Sequence, residues 1–354
     1  MIDQDALQAQ TYPQPLEIQP SWPNKARNAI VRRGIKLVCG SADFVPTTAA
    51  SDVSLVSAGL RFLWLRALRA IGIQNFVATS GLGYEFLCHV GDLSEYPFYH
   101  RRAYEKELAL CRGWLKHVVS SPVVYDVGAN IGFISTHLAQ MLASQSPQIY
   151  AFEPVPTTFE KLQASVTRLG VQGTVYPVAL GLSDKPGSLR IALSRRNSLL
   201  SRVIADEAAP FLEAEQIVCA RGITLDQFSA EKGLQPTLIK MDIEGSEVAA
   251  LLGARGLLSR EDRPSILFEH NPVALSERGI APRCLSGLLS GYHFHYVDDL
   301  QDQMLPFGSR VVDVGRVRWI CNIFAVPKGE RNASRWQSAI ASARHELGIT
   351  ANDA

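Results

Sequence analysis

With 354 residues, 47% of them hydrophobic and 19% charged, the chain can bury one large core and carry a smaller appendage. The 35 Lys and Arg against 34 Asp and Glu leave a net charge of +1, which excludes the broad basic footprint of a nucleic-acid binder while leaving room for a local groove. The six cysteines, Cys39, Cys88, Cys111, Cys219, Cys284 and Cys321, form no CxxC pair and no Cys/His cluster of zinc spacing, so they read as reduced, mostly buried thiols of a reducing compartment.

Residues 1–20 are polar and proline-containing, without the basic start and apolar stretch of a secretory signal, so a cytoplasmic location is expected. The most lipophilic region, Val53 to Ile73, is interrupted by Arg61, Arg66 and Arg69. Its uncharged stretches fall well short of the roughly 18 residues of a spanning helix. Leu60, Leu63, Ala67 and Ile71 share one face of a predicted helix that Ser51 or Asp52 would cap. Such a helix packs on the main domain or on a partner subunit, as in a homo-oligomer; the alternative is peripheral membrane contact with the arginines on its rim.

From about residue 120, short β-branched runs alternate with helical stretches, the pattern of a mostly parallel sheet covered on both faces. Predicted strands run from Pro122 to Val127, Gln148 to Phe152, Thr174 to Leu180 and, after a turn, Leu189 to Ser194. Helices are predicted from Ile131 to Leu142 and, capped by Thr157 or Thr158, on to Leu169, with Gly170 as the stop. The stretch from Arg195 to Ala220 is irregular and serves either as a substrate-binding loop or as a passive excursion. A fourth main strand ends near Asp242, a helix spans Ser246 to Leu258, and a fifth strand spans Ser265 to His270. Two late strands, Tyr292 to Val297 and Trp319 to Val326, would finish the sheet as an antiparallel edge, and a polar helix from Ala333 to Leu347 stops at Gly348.

In an open parallel sheet the ligand sits outside the carboxyl ends of the strands, so the informative residues are those just after strands. Asp126, Gly128, Asn130 and Gly132 form the first such turn, where glycines let the backbone come close to a ligand. The spacing GxNxG lacks the GxGxxG pattern that seats a pyrophosphate, and Asp126 is placed for a cationic group. S-adenosylmethionine offers an ammonium and a sulfonium and has no phosphate. Glu153 follows the second strand, about twenty residues past the glycine turn, where an acidic side chain accepts ribose hydroxyls; Pro154 and Pro156 stiffen its presentation. At the fourth strand Lys240, Asp242, Glu244 and Glu247 crowd together, with Lys240, Asp242 and Glu244 on one side of an extended segment, either as acceptor-positioning groups or as a structural ion-pair network. Glu269 and His270 end the fifth strand and either can reach the same pocket, His270 being the natural general base or else a structural hydrogen-bonder. His293 and His295 share a strand face but have no third ligand, and no metal is expected.

Taken together, DVGANIG, AFEPVP, the segment from Ala179 to Gly187, TLD at Thr224 to Asp226, IKMDIEGSE and ILFEH resemble the FkbM-type methyltransferase family in order and spacing. The resemblance spans about Tyr84 to Glu269 and includes Tyr104 and Glu105, similar to a YE pair that the family places before its first strand. It implies a class I methyltransferase fold, that is, a Rossmann-like doubly wound sheet, and S-adenosylmethionine as donor. It also implies O-methylation of a hydroxyl on a sugar, glycan or natural product, with Glu105, Leu180 and Ser183 joining the cofactor set. The domains expected on this basis are an N-terminal, partly helical extension to residue 80, a methyltransferase domain at 81–328 and a closing helix and tail at 329–354.

The expected roles follow from what methyl transfer needs, an acceptor oxygen held in line with water excluded, and a base for its proton. Asp126 meets the amino-acid end of the cofactor, Gly128 and Gly132 give close backbone contact, Asn130 shapes the loop and Glu153 holds the ribose. Asp242 and His270 are the candidate bases, with Lys240, Glu244 and Glu269 organising the pocket. The rival readings are a nicotinamide-dependent oxidoreductase and a donor-binding subunit without catalysis; a nucleic-acid methyltransferase fits less well, because DIEG replaces the NPPY-type turn.

Overall fold

The structure, a computed structural model, describes residues 55–90, 104–116, 121–193, 202–204, 216–299 and 305–349. The chain divides into two compact units at Ile71. In the first, α1 (Leu55–Ala70) realises the predicted helix with a different buried face: Leu65 and Leu68 are buried, whereas Leu63, Ala67 and Ile71 are exposed. Ser51, Asp52, Cys39, the side chain of Leu60 and most of the segment leading to Tyr104 lie outside the described residues. No helix among the described residues is long and apolar enough to cross a membrane.

The second unit opens with a hairpin that periodicity did not predict, β1 (Asn75–Thr79) and β2 (Glu85–His89), and the expected boundary at residue 80 falls inside it. Then come α2 (Glu105–Leu115), β3 (Val123–Val127), α3 (Phe133–Met141), β4 (Gln148–Phe152), α4 (Pro156–Arg168) and β5 (Val175–Val178). The Gln140 side chain both donates to Glu85 O and accepts from Glu85 N–H, fastening the hairpin to α3. Helix α4 starts one residue before Thr157 because Pro156 occupies its first turn, where the missing N–H is harmless; neither threonine caps it.

A separate four-stranded sheet, also unpredicted as such, is built from β6 (Gly181–Leu182), β7 (Gly187–Leu193), β8 (Arg202–Ile204) and β9 (Gln216–Ile223) in the order β6-β9-β7-β8. The irregular stretch therefore contributes paired strands, while 194–201 and 205–215 lie outside the described residues. Next are α5 (Leu225–Lys232), β10 (Leu238–Met241), α6 (Glu247–Leu252), α7 (Arg255–Ser259), β11 (Ser265–His270), α8 (Pro272–Glu277), α9 (Arg283–Leu288), β12 (Tyr292–Asp299), β13 (Arg310–Val311), β14 (Cys321–Pro327) and α10 (Glu330–Leu347). The single helix expected from Ser246 to Leu258 is broken at Gly253, which lies so close to the carbonyl of Ser183 that an added Cβ would sit 2.1 Å from that oxygen.

The main sheet has eight strands in the order β13-β12-β14-β11-β10-β3-β4-β5. β3, β4, β5, β10 and β11 are parallel, and β14 inserts antiparallel between β11 and β12. The class is the expected doubly wound, mostly parallel α/β sheet. From β3 the chain winds outward to β4 and β5, then returns to lay β10 and β11 on the other side, which puts the switch point between β3 and β10.

Alternation along these strands assigns each face its task. Tyr125, Ile239, Met241, Ile266 and Phe268 enter the larger core, where Phe228 of α5 meets Tyr125 at 5.6 Å and Phe152 at 4.8 Å between ring centroids. Such edge-on pairs contribute about 0.5–1.5 kcal/mol each beyond area burial. Opposite them, Trp114 of α2 packs on Phe324, and Trp336 of α10 stacks on His295. Of the described cysteines all five are free; Cys88, Cys111 and Cys321 are buried as expected, but Cys219 and Cys284 are exposed.

Candidate active site

The turn after β3 is pinned to β4 by two hydrogen bonds: the N–H groups of Gly128 and Ala129 both donate to Phe152 O, at 3.1 and 2.9 Å. Gly128, Asn130 and Gly132 all have left-handed backbone angles, with φ of 77°, 51° and 86°. The two glycines are also demanded by the protein itself. A Cβ on Gly128 would lie 2.0 Å from Asp242 O, and one on Gly132 2.6 Å from Leu162 Cδ1. The turn is thus wedged against the end of β10 and against α4.

Glu153 completes this junction. Its Oε2 accepts the Asn130 N–H at 3.1 Å and its Oε1 accepts the Val155 N–H at 2.9 Å, in a side chain only 6% exposed. Burial pushes the carboxyl up to about 7, against the pull of the two backbone N–H groups. Beside it the Oδ1 of Asn130 is buried with no partner among the described residues. Pro154 sits against Gly181, and Leu180 lies just beyond β5, whose Val178 O accepts the Glu153 N–H.

One strand over, the charges are internal. Asp126 has no exposed surface; its Oδ2 accepts from Ser135 Oγ at 2.6 Å and its Oδ1 lies 3.4 Å from Lys240 Nζ. Asp126 and Lys240 are register partners across β3 and β10, so their side chains share a face. Lys240 also reaches Asp242 Oδ2 at 3.7 Å and Gly128 O at 3.4 Å. Burial alone would lower the ammonium, but Asp126 and Asp242 reverse this and the net shift is upward. Asp126, expected to face the amino-acid end of a cofactor, is engaged by Ser135 of α3 and by Lys240.

Helix α2 closes this face with residues that sequence reasoning passed over. Glu107 is buried and accepts from Asn322 Nδ2 at 3.0 Å; the same amide donates to Asp298 Oδ1 at 2.9 Å. Burial, then Asp298, pushes the Glu107 carboxyl well up. The only available signal was a Glu directly ahead of the apolar run LALC. Glu105, also buried, begins the same helix.

On the far side of the switch point, one oxygen from each of Asp242, Glu244 and Glu269 lies within 4.8 Å of the others. Glu244 gets there through a left-handed turn, φ 52°, rather than by strand alternation, because β10 ends at Met241. Glu269 is pushed up to about 8 by burial and then by Asp242, Glu244 and Glu247; Glu247, which accepts the Ile243 N–H at 3.0 Å, is pushed up to about 7 by burial. Oxygens so spaced can share protons or hold a hard divalent cation.

Other expected residues are placed elsewhere. His270 follows Glu269 and so points to the opposite face; it is 0% exposed, with Nε2 3.2 Å from Val317 O, and cannot reach the pocket. Ser183 is directed to Asp184 and to the Gly253 turn rather than to the glycine turn. His293 takes a hydrogen bond from Arg310 at 3.0 Å, and His295 is stacked on Trp336 at 4.0 Å, so the pair is structural.

The methyltransferase FkbM domain matches residues 126–306, from Asp126 of the glycine turn to the segment following β12. Hexuronic acid methyltransferase AglP of Haloferax volcanii is 28% identical over 229 residues, covering 64% of this chain and 84% of that protein. AMB antimetabolite synthetase AmbE of Pseudomonas aeruginosa is 30% identical over 53% of this chain, which spans only 10% of the synthetase. Among solved structures, methyltransferase FkbM from Methylobacillus flagellatus KT matches with 16% identity and a TM-score of 0.38, over 73% of this chain and 65% of that one. With the glycine turn, the acidic residue after β4 and the carboxylates after β10 and β11 all inside the matched region, the chain belongs to the FkbM family of methyltransferases.

Proposed function

We propose that the chain transfers a methyl group from S-adenosylmethionine to a hydroxyl of a sugar, glycan or small natural product. The observation that carries this reading is the junction of Glu153 with the glycine turn. The carboxylate receives the Asn130 N–H at 3.1 Å, beside an orphaned acceptor, at the mouth of adjacent parallel strands. The residues fit such a donor. Two backbone bonds leave Glu153 with lone pairs for two ribose hydroxyls, and Asn130 Oδ1 suits a further N–H or O–H. When bound, the donor supplies a methyl group made electrophilic by its sulfonium.

The chain's own residues then do three things. The Asp126–Lys240 pair fixes the turn against β10, so that the nucleoside and acceptor halves keep a constant spacing. Glu269, pushed up to about 8, holds a proton at neutral pH and donates a hydrogen bond to the acceptor. Asp242, beside it, takes the hydroxyl proton as transfer proceeds. Support for a sugar acceptor comes from the relative named for hexuronic acid.

The test is incubation with methyl-labelled donor and a panel of hexuronic acids, neutral hexoses and phenolic hydroxyls, read by product mass and position of the label. One labelled methyl on an oxygen is expected. Label on nitrogen or carbon, or no transfer by a chain that binds the donor, contradicts the reading.

A further inference from the structure

At the amino end of β11, across the sheet from the glycine turn, lies an open cleft of about 300 Å³. Arg263 precedes β11 on one wall, Tyr292 begins β12 on the floor, and Arg255 comes from the first turn of α7. Neither arginine has an ion pair or side-chain hydrogen bond among the described residues, whereas nearby Arg260 is paired with Asp262 at 2.9 Å. Lys328 adds a third cation: its Nζ donates to the carbonyl of Ser290 on the cleft rim at 2.7 Å and has no carboxylate partner among the described residues.

The wall is shaped around one of these cations. A Cβ on Gly291 would lie 2.3 Å from Arg263 Nη1, so one end of the guanidinium occupies the space that a side chain at this position would take. Tyr292 is buried, with its hydroxyl donated to Pro264 O at 2.9 Å, which fixes the floor. A half-buried guanidinium held in a concave, partly apolar cleft beside two more cations presents a fork of donors to a tetrahedral oxyanion. The concavity suits a small molecule rather than a flat surface.

We propose that this cleft binds a soluble, phosphate-bearing small molecule, with Arg255 and Arg263 gripping the phosphate, at a site separate from the methyl-transfer centre. Inorganic pyrophosphate is the probe, titrated calorimetrically into the full chain at constant ionic strength, with citrate and with vesicles of anionic or neutral lipid in parallel. Pyrophosphate should bind at millimolar concentration or tighter. Both Arg255→Gln and Arg263→Gln should weaken it about tenfold or more. Gly291→Ala, which displaces the guanidinium, should do the same. Arg255 is exposed, so its variant reports on binding even if the others fail to fold. Absence of pyrophosphate binding, equal affinity in the Arg255 variant, preference for citrate, or capture by anionic vesicles without a pyrophosphate response would each overturn the proposal.

Discussion

The ends of β3 and β4 and the ends of β10 and β11 lie along one edge of the main sheet, yet they are built differently. Around the glycine turn every main-chain donor named has an acceptor, and the one acidic side chain, Glu153, takes two backbone N–H groups. Across the switch point, three carboxylates stand within 4.8 Å of one another, and the ammonium of Lys240 is shared between Asp126 at 3.4 Å and Asp242 at 3.7 Å. A preformed cradle suits a ligand that is the same in every turnover. A cluster of crowded, proton-sharing carboxyls suits the place where a proton is to be moved.

Breaking the link between the halves should have the largest effect. Lys240→Met leaves Asp126 buried without its cation and should cost about 3–5 kcal/mol of stability in denaturant melts. A loss below about 1 kcal/mol would mean the pair behaves like a surface bridge and does not join the halves. Asp242→Asn probes the acceptor half alone: kcat should fall by about 10²–10⁴ with donor affinity unchanged. A parallel loss of donor affinity would show that the division is false. Raised carboxyls give both halves a common pH signature. Folded Glu153 and Glu247 are pushed up to about 7 and Glu269 to about 8, against 4.5 for the ordinary group, while buried His137 and His295, lowered to about 4, offset them below the ordinary histidine value of 6.5, so the native state binds more protons than the unfolded one between about 6.5 and 8. Donor-free protein should therefore lose stability as pH rises from about 6.5 through 8, and melts that strengthen over this range would contradict the assigned burial. The smallest effect on turnover belongs to His270→Ala, since that ring lies on the other face; a collapse of kcat with donor binding intact would restore it as a base.

What could be read beforehand follows from how local each feature is. β4 and β11 occupy the predicted spans and β3 begins one residue late, because strands buried on both faces appear as unbroken apolar runs. Glu153 could be located because its distance from the glycine turn is set by one βαβ unit. The Asp126–Lys240 pair, by contrast, depends on register between strands far apart in sequence, and the Glu107–Asn322–Asp298 bridge joins a helix to two late strands. The strained turn at Glu244 and the break at Gly253 arise from tertiary contact rather than from the residues around them. His270 was within reach of sequence reasoning: strict alternation forbids it and Glu269 from sharing a face.

The most direct test of the cradle is calorimetric titration of S-adenosylmethionine and of NAD into the parent chain and Glu153→Gln between pH 6 and 8. Binding of S-adenosylmethionine alone is expected. Its affinity should rise through pH 7 as Glu153 becomes the carboxylate that accepts two hydroxyls, and in the variant it should be about 10- to 100-fold weaker and flat with pH. Binding of NAD in preference, or a variant that binds the donor as the parent does, would contradict it.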